Sequence, residues 1–485
     1  MNAFPDTLFA GQRFAVVGLG KNGLPAARAL TAMGAEVIAW DDHSSVRGAA
    51  LGLPVLDPRE AGGRFDAVVL SPGIPHILPK PHPIAVWARS VGIPILSDAE
   101  LLFQAVRKAG SRARFVGITG TNGKSTTTAL LAHVLLGAGM PAVAGANLGP
   151  AALSLPLLPD NGVYVLEMSS YMLERLATLR FDVAAMLNLS VDHLDRHGDM
   201  DGYALAKRAV FDRQRAGDLA VIGMDDALSR SMADRLRGQP ARVAAISGAS
   251  PADVWCEDGI LRDAVGPILA MSEASTLPGL HNAQDAAAVS AMAMFLGVDR
   301  DAIAQGLRTY PGLPHRQQLV GRVDGVSYVN DSKATNSDAA ARALVCYDKL
   351  IWIAGGMAKE DGIGSLAPLF PRIARALLIG RDTPILAATL AEHGVPYIEA
   401  GTLEAAVPLA AAAAKTEGAS VVLLSPACAS WDQFTGYDQR GTRFAELVRG
   451  LEGARWCPRS HARTTRCSAV GGGRWTAGHW APSGC

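Results

Sequence analysis

Short runs of apolar and β-branched residues alternate with alanine-rich stretches along most of this chain. A short apolar run predicts a strand, and an alanine-rich stretch predicts a helix. Strands that alternate with helices indicate parallel sheets covered by helices, so the expected class is α/β. The predicted strands cover residues 14–18, 36–40, 67–70, 115–118, 163–167, 183–187, 219–223, 326–329, 350–354, 376–379 and 421–424.

Two breaks in this pattern predict three domains. A predicted helix over 101–114, with a basic end, precedes one new strand, and a Pro/Gly-rich segment over 309–315 precedes a further set of strands. The predicted domains therefore cover residues 1–107, 108–310 and 311–455. Residues 456–485 show no periodicity and few aliphatic side chains, so we expect them to form a disordered tail.

Composition narrows the class of protein. The 485 residues carry a formal net charge of +0, and no basic stripe suggests nucleic-acid binding. The apolar runs are too short for a membrane span, and the N-terminus lacks the features of a secretion signal. Six cysteines are scattered without metal-binding spacing. We therefore expect a cytoplasmic enzyme that acts on small molecules.

A glycine-rich turn after the predicted strand 115–118 carries the strongest chemical signal. Backbone N–H groups in such a turn cradle phosphate oxygens, Lys124 can reach the β- and γ-phosphates, and Ser125 or Thr126 can contact Mg²⁺. Ile118 occupies a position where the usual phosphate loop has glycine, which leaves a plain strand–helix turn as the alternative. The predicted ATP loop comprises Gly120, Thr121, Asn122, Gly123, Lys124, Ser125 and Thr126.

A second glycine-rich turn follows the first predicted strand. Gly18, Gly20 and Gly23 form a GxGxxG pattern, and Asp41 and Asp42 follow the next strand. This pattern is typical of dinucleotide-binding domains and on its own would favour an NAD-dependent dehydrogenase. The same turn can hold any diphosphate, so we expect a nucleotide diphosphate that is bound and not changed. Ser71 follows the third strand at the same edge, and the two aspartates could instead cap a surface loop.

Polar side chains also follow the strands of the central domain. Glu167 ends a strand and could bind Mg²⁺, or it could be a helix N-terminal acid. His193, between Asp192 and Asp195, could bind a second metal ion or be structural. Lys207 lies on a predicted helix over 201–211, where an ordinary lysine would be a solvated surface residue.

The predicted third domain adds several anion-binding groups. Arg316 could contact the γ-phosphate when the domains close, or it could form a salt bridge in the hinge. Asp331 could contact the ribose, while Lys333 and Thr335 could contact an anionic substrate. Segments 355–359 and 425–434 also follow strands, with Lys359 in the first and Ser425 in the second.

Taken together, these motifs resemble the Mur ligase family. The segment Gly120 to Thr126 is shared with folylpolyglutamate synthases, whereas segments 167–171, 330–336 and 425–434 resemble the D-glutamate-adding members. The resemblance covers about residues 10 to 450. It implies an α/β fold with three domains: an N-terminal Rossmann-like domain, a central P-loop ATPase-type domain with a parallel sheet and a C-terminal Rossmann-like domain.

The resemblance also implies a reaction. ATP, with Mg²⁺ (two ions are expected), would phosphorylate the carboxylate of UDP-N-acetylmuramoyl-L-alanine, and the amine of D-glutamate would attack the acyl phosphate. The chain is expected to be monomeric. Folylpolyglutamate synthases, which share the phosphate loop, remain the alternative, and an NAD-dependent dehydrogenase is the less favoured one.

Individual roles follow from the same resemblance. The implied UDP-substrate contacts are Gly18, Gly20, Gly23, Asp41, Asp42, Ser71, Asn147 and His193. The implied ATP contacts outside the phosphate loop are Asn282, Arg316 and Asp331, and the implied D-glutamate contacts are Lys333, Thr335, Lys359, Ser425 and Phe434. The implied metal ligands are Ser125, Glu167, His193 and Lys207 as a carbamate, and the implied catalytic set is Lys124, Glu167, His193, Lys207 and Arg316.

One residue departs from the family pattern. Met172 stands where the family commonly has glutamine, and this difference leaves the assignment unchanged. The segment between His193 and Lys207 also differs in length from the family's, so the position of the lysine depends on the structure. Residues 456–485 have no counterpart in the family.

Overall fold

The computed structural model describes residues 3–359, 362–451 and 453–456, and within these ranges it contains three β-sheets flanked by helices. The predicted α/β class with three sheet-centred units is confirmed. The exact limits of the predicted domains stay a prediction. Except for Trp456, the predicted tail lies outside the described residues.

The first sheet has four parallel strands in the order β2-β1-β3-β4. Its strands are β1 (Arg13–Val17), β2 (Glu36–Trp40), β3 (Ala67–Leu70) and β4 (Ile95–Leu96). The helices around it are α1 (Gly23–Ala32), α2 (Ser44–Arg47), α3 (Pro83–Ser90) and α4 (Asp98–Lys108). The glycine-rich turn of the GxGxxG pattern joins β1 to α1, as the sequence predicts.

The central sheet has nine strands in the order β13-β12-β11-β10-β9-β8-β5-β7-β6, and it is parallel except for β12, which is antiparallel to both of its neighbours. Its strands are β5 (Arg114–Thr119), β6 (Ala142–Ala146), β7 (Val163–Glu167), β8 (Val183–Met186), β9 (Leu219–Gly223), β10 (Arg242–Ser247), β11 (Val254–Glu257), β12 (Ile260–Asp263) and β13 (Gly266–Ala270). Its helices are α5 (Lys124–Gly137), α6 (Ser170–Leu173), α7 (Leu194–His197), α8 (Met200–Arg208), α9 (Ala227–Leu236), α10 (Leu280–Leu296) and α11 (Arg300–Thr309).

The third sheet has seven strands in the order β18-β17-β16-β19-β15-β14-β20, with β14 antiparallel to both of its neighbours. Its strands are β14 (Gln318–Val323), β15 (Val326–Asn330), β16 (Leu350–Gly355), β17 (Ile373–Ile379), β18 (Tyr397–Gly401), β19 (Val421–Leu424) and β20 (Ala454–Trp456). Its helices are α12 (Ser337–Leu344), α13 (Thr383–Glu392), α14 (Leu403–Glu417) and α15 (Tyr437–Arg449).

Two predicted helices have different limits in the structure. The helix expected over 101–114 is α4, which starts earlier because the Ser97 hydroxyl accepts a hydrogen bond from the N–H of Glu100, as an N-cap. It ends at Lys108, and Arg114 already belongs to β5. The helix expected over 201–211 is α8, which is capped by the Asp199 carboxylate and ends at Arg208.

The first and central sheets share one hydrophobic core. Leu101 and Leu102 of α4 are buried in it, together with Phe14 of β1 and Phe115 of β5. The buried Glu100 carboxylate in α4 accepts hydrogen bonds from the N–H groups of residues 177, 178 and 179, each at 2.9 Å. The first sheet is therefore fixed to the central one by packing and by backbone contacts.

Within the described ranges, no helix combines the length and the apolar character that crossing a bilayer requires.

Truncated chains can show whether strand β20 contributes to the stability of the third sheet. A chain that stops at Trp456 keeps the pairing of β20 with β14, whereas a chain that stops at Leu451 exposes the edge of β14. We expect the shorter chain to lose about 1–2 kcal/mol of unfolding free energy in the third domain, the net value of a few hydrogen bonds. Urea unfolding monitored by fluorescence measures this, and equal midpoints for the two truncated chains would contradict it.

Candidate functional site

Many of the predicted site residues lie at the carboxyl ends of parallel strands, in all three sheets. The glycine-rich turns follow β1 and β5, Glu167 ends β7, and Asp331 follows β15. Ligands of open α/β sheets bind at this edge, outside the carboxyl ends of the strands. Clefts open there beside the first sheet and between the central and third sheets.

The phosphate loop has the backbone that an anion site requires. Gly123 precedes α5 with a φ of 84°, in the left-handed region, and a Cβ at this position would collide with the carboxylate of Asp285. The N–H of Asn122 donates to the Asn188 side chain at 2.9 Å, which fixes the loop from the β8 side. The N-terminus of α5 therefore faces the cleft with its N–H groups, a favourable place for phosphate.

Two lysines converge on this loop. The Lys124 Nζ donates to the carbonyl oxygens of Gly120 and Thr121 at 2.9 and 2.8 Å. The Lys207 Nζ, from α8, donates to the same Gly120 oxygen at 2.7 Å and lies 4.6 Å from the ring centre of Tyr203. Burial lowers the pKa of both ammonium groups, and the pKa of Lys207 falls well below its ordinary value, with Lys124 as a second cause.

Glu167 presents a carboxylate next to these cations. Its Oε1 accepts a hydrogen bond from the Asn147 side chain at 2.6 Å. Its Oε2 is buried and has no hydrogen-bond partner among the described residues. A buried carboxylate oxygen without a partner is costly, so this atom fits the coordination of a cation. Asn147, predicted as a substrate contact, thereby orients a predicted metal ligand.

His193 lies at the start of α7 with a φ of 52°. Its side chain is 45% exposed, its Nε2 lies 3.3 Å from an Asp192 carboxylate oxygen, and its ring centre lies 5.1 Å from that of Tyr171. Partial burial lowers the pKa of His193, which favours the neutral imidazole that metal binding requires. Among the described residues, no three His, Cys, Asp or Glu side chains form a ready metal cluster. Mg²⁺ does not need one, since it keeps waters and shares phosphate oxygens with one or two carboxylates.

The nucleotide cleft lies between the central and third sheets. Arg316 reaches across it, and its guanidinium donates to the Ser125 hydroxyl at 3.0 Å. Asp331 is buried in the cleft wall, where its carboxylate accepts from the Gln317 N–H at 3.1 Å and from the Ser425 hydroxyl at 2.8 Å. Burial raises the pKa of Asp331 to about 7. Asn282 also lines this cleft, and its side chain donates to the Pro278 carbonyl at 2.6 Å.

Asp285 is a residue of this cleft that the sequence prediction missed. It is buried on α10 and faces Gly123 of the phosphate loop. Burial raises the pKa of its carboxyl to about 7. Asp285 lies three positions after Asn282, on the same face of the helix, so the helical spacing could have found it.

The cleft of the first sheet is built around two aspartates with different tasks. The Asp41 carboxylate accepts from the N–H groups of Leu19 and His43, at 2.8 and 2.9 Å, and so fixes the glycine-rich turn. Asp42 pairs with the His82 Nε2 at 2.8 Å, and this hydrogen bond lowers the pKa of the Asp42 carboxyl. His82, which the sequence prediction missed, therefore orients Asp42 at the cleft. Gly18, Gly20, Ser71 and Asn147 also line this cleft.

Gly23 has a packing role in the same turn. A Cβ at this position would collide with the Gly18 carbonyl oxygen. The third glycine of the pattern therefore allows α1 to approach the turn closely.

The predicted D-glutamate residues are only partly brought together. Lys333 faces the cleft, with its Nζ 3.7 Å from the ring centre of Tyr437, and burial lowers the pKa of Lys333 to about 8. Thr335 follows it in the same loop, and Lys359 is exposed in the loop after β16. Ser425, by contrast, is fully buried with its hydroxyl on Asp331, and Phe434 packs against the hydrophobic core.

Tyr437 was missed by the sequence prediction, although it lies only three residues after Phe434. Its ring supports the Lys333 ammonium from the first turn of α15, so the aromatic wall of this part of the cleft comes from Tyr437.

Comparisons of the sequence with a family model and with known proteins point to the same family. A model of the Mur ligase middle domain matches residues 118–293. The chain is 50% identical to a UDP-N-acetylmuramoylalanine--D-glutamate ligase of Paramagnetospirillum magneticum, over 92% of this chain and 98% of that one. It is 46% identical to the enzyme of the same name from Rhodospirillum rubrum, over 96% and 98% of the two chains.

Solved structures share the fold at low sequence identity. The UDP-N-acetylmuramate-alanine ligase MurC of Thermotoga maritima aligns with a TM-score of 0.57 at 18% identity, over 90% of this chain and 99% of that one. MurF of Acinetobacter baumannii aligns with a TM-score of 0.57 at 16% identity, over 92% and 93% of the two chains.

The geometry of the phosphate loop can be tested by Gly123→Ala. An alanine with a positive φ costs about 1–2 kcal/mol, and its methyl group would also displace Asp285. We expect ATP binding, measured by calorimetry, to weaken about tenfold or more. Gly137→Ala, at the other end of α5 with no atom within 4 Å of the new methyl group, is the matched control and should bind like the unmodified chain. Equal ATP affinity of the two variants would contradict the assigned loop.

Proposed function

The chain belongs to the Mur ligase family of UDP-N-acetylmuramoylalanine--D-glutamate ligases, and we propose that it joins D-glutamate to UDP-N-acetylmuramoyl-L-alanine with cleavage of ATP. The family resemblance predicted from the sequence is thereby confirmed. One observation carries the proposal: the chain is 50% identical to such a ligase over 98% of that protein's length. The reaction would be a step in making peptidoglycan precursors. The substrates are small molecules, and we place the enzyme in the cytoplasm as a monomer.

A carboxylate is a poor electrophile until it carries a leaving group. ATP supplies one as an acyl phosphate, and the amine of D-glutamate then displaces the phosphate to form the amide. The transferring phosphoryl group carries negative charge, so the catalytic contribution is positioning and charge stabilisation. Lys124, Arg316 and the N–H groups of the phosphate loop are arranged for this task at one end of the nucleotide cleft.

The chain offers suitable ligands for Mg²⁺ in the same place. Glu167, with its unpartnered Oε2, would hold one ion with the Ser125 hydroxyl, and His193 with a carbamylated Lys207 would hold a second. When bound, Mg²⁺ supplies positive charge that neutralises phosphate oxygens. The two-ion arrangement is part of the proposal.

Lys207 fits the role of a carbamylated lysine. A neutral amine adds to CO₂, forming an N–C bond and releasing one proton, which converts the side chain into an anion. The Lys207 side chain is 2% exposed, and its lowered pKa increases the fraction of neutral amine. A carbamate there would relieve the juxtaposition of two ammonium groups at the Gly120 carbonyl.

The incoming amino acid is assigned to the third sheet's edge. Lys333, with Tyr437 behind it, offers a positive charge to a carboxylate of D-glutamate. Thr335 lies in the same loop, and Lys359 lies in the loop after β16. Ser425 and Phe434, which the sequence placed in this pocket, support it indirectly through Asp331 and through the core.

The proposed reaction is tested by phosphate release from ATP in the presence of both co-substrates. We expect release only when UDP-N-acetylmuramoyl-L-alanine and D-glutamate are both present, with L-glutamate inactive as the control. Release that requires a folate and L-glutamate would favour the folylpolyglutamate synthase alternative. NAD binding without any ATP turnover would favour the dehydrogenase.

Lys207→Ala tests the carbamate. Removing the side chain removes the proposed anionic ligand, so we expect the ligase rate to fall by about two orders of magnitude or more. Because a small carboxylate can occupy the vacated space, formate or acetate at high concentration should restore part of the rate. The same additives should leave the unmodified enzyme unchanged, and failure to rescue a folded variant would count against the carbamate.

The lowered pKa of Lys333 predicts that binding of D-glutamate depends on pH. Its pKa is lowered to about 8, so the ammonium is present below that pH and is lost as the pH rises through it. We therefore expect the KM for D-glutamate to rise above pH 8, measured at saturating ATP. Lys333→Arg keeps its charge throughout this range and should flatten the rise, whereas the same rise in both proteins would show that another group titrates.

A further inference from the structure

One loop of the first sheet accepts hydrogen bonds from two arginine side chains of the central sheet's elements. This substrate-pocket loop, residues 71–75, follows β3 and lines the cleft of the first sheet. The guanidinium of Arg175 donates to the carbonyl oxygens of Leu70 at 2.7 Å, Ser71 at 3.0 Å and Ile74 at 2.5 Å.

A second arginine completes the set of contacts. The guanidinium of Arg196 donates to the carbonyl oxygens of Gly73 at 3.0 Å and Pro72 at 3.5 Å. Five consecutive carbonyl groups, from residue 70 to residue 74, thus accept hydrogen bonds from two guanidinium groups. Arginine suits this task because its planar fork offers five donors in fixed directions.

Both arginines lie on segments that begin at a candidate metal ligand. Arg175 follows α6, which comes directly after Glu167 and the end of β7, and Arg196 lies in α7, directly after His193. The two segments are also tied together: His197 of α7 contacts the Ser170 hydroxyl at 2.9 Å and the Glu174 carboxylate at 3.1 Å.

Arg175 holds the loop with a charged group that is buried away from water. Its side chain is 2% exposed, and among the described residues it forms no ion pair with a carboxylate. A buried guanidinium is costly unless its donors are satisfied, and those of Arg175 are directed at three carbonyl groups of one loop. His76, beside it at 3.4 Å, is kept neutral because burial and Arg175 lower its pKa to about 4.

The loop passes this restraint on to the glycine-rich turn. The Ser71 hydroxyl donates to the Gly18 carbonyl oxygen at 2.7 Å, and Gly18 opens the turn that follows β1. A displacement of the substrate-pocket loop would therefore move the turn that is assigned to the diphosphate. Two arginines therefore connect the glycine-rich turn after β1 with the segment that follows Glu167 and the segment that follows His193.

We propose that Arg175 and Arg196 are positioning residues that set the distance between the UDP-substrate cleft and the phosphoryl-transfer site. This inference rests on the proposed function, because it concerns how the substrate's carboxylate is aligned with the γ-phosphate. Neither arginine touches the reacting atoms in this account. Their effect is on alignment, which strongly affects a reaction between two bound groups.

The test replaces each arginine by lysine, which keeps the charge and loses the fork of donors. For Arg175→Lys and Arg196→Lys we expect kcat for phosphate release to fall about 10- to 100-fold, as for a misplacement of about 1 Å. The KM for ATP should stay within about twofold, and the Kd for UDP, measured by calorimetry, within about threefold, because each ligand still has its own cleft.

Arg213→Lys is the matched control. The Arg213 guanidinium also donates to two backbone carbonyls, those of Ala177 at 2.9 Å and Leu176 at 2.6 Å, but both lie within the central domain. We expect its kcat to stay within about twofold of the unmodified enzyme, with any loss confined to the unfolding midpoint. A merely structural role of the two positioning arginines would give the same result as this control.

The outcomes separate the two claims. If the unmodified enzyme releases phosphate and both variants keep its kcat, or lose only the activity of an unfolded fraction, the positioning role is wrong. If the unmodified enzyme releases no phosphate with both co-substrates, the proposed function itself is wrong. Should Arg175→Lys fail to fold, Arg196→Lys, at a half-buried position, decides the question.

Discussion

The candidate active site is built around one carbonyl oxygen to which two lysine side chains donate. Lys124 and Lys207 both donate to the Gly120 oxygen, and Arg316 reaches the adjacent Ser125 from another sheet. Concentrating positive charge in a buried place is unfavourable by itself. An anionic ligand in the cleft, or conversion of Lys207 into the proposed carbamate, would offset this repulsion. Burial, with Lys124 as the second cause, holds the pKa of Lys207 well below its ordinary value.

The three sheets contribute to this site because their carboxyl edges face common clefts, and buried arginines fix the loops at those edges. In the third sheet, the fully buried Arg440 donates to the Ser332 hydroxyl at 2.9 Å, to the Cys428 carbonyl at 3.1 Å and to the Gly355 carbonyl at 3.4 Å. It thus joins the loops after β15, β16 and β19. Arg175 does the same between the first and central sheets. A loop held through its own carbonyls keeps its shape whichever ligand is bound, as positioning requires.

The sequence predicted strands well where β-branched residues are concentrated. The expected limits of β2, β3, β7, β9 and β19 agree with the structure to the residue. Strand β6 (Ala142–Ala146) was missed because alanine and glycine give no strand signal. Strand β12 was missed because it is short and half charged, and β13 because it begins with glycine and proline. For the site, local motifs placed the phosphate loop, Glu167 and Lys333. The contacts that orient them were not predictable, since Arg175 and Leu70 are 105 positions apart and Glu100 and Thr178 are 78 apart.

In the proposed reaction, ATP transfers a phosphoryl group to the substrate carboxylate before the amine attacks. The path of the carboxylate oxygens distinguishes this route from direct hydrolysis of ATP. If UDP-N-acetylmuramoyl-L-alanine carries ¹⁸O in both carboxylate oxygens, the acyl phosphate passes one labelled oxygen to phosphate when the D-glutamate amine displaces it. Mass spectrometry of the released phosphate should therefore find one ¹⁸O atom per phosphate, with the other retained in the amide. Phosphate that contains no label would mean that water attacks ATP directly and that no acyl phosphate forms.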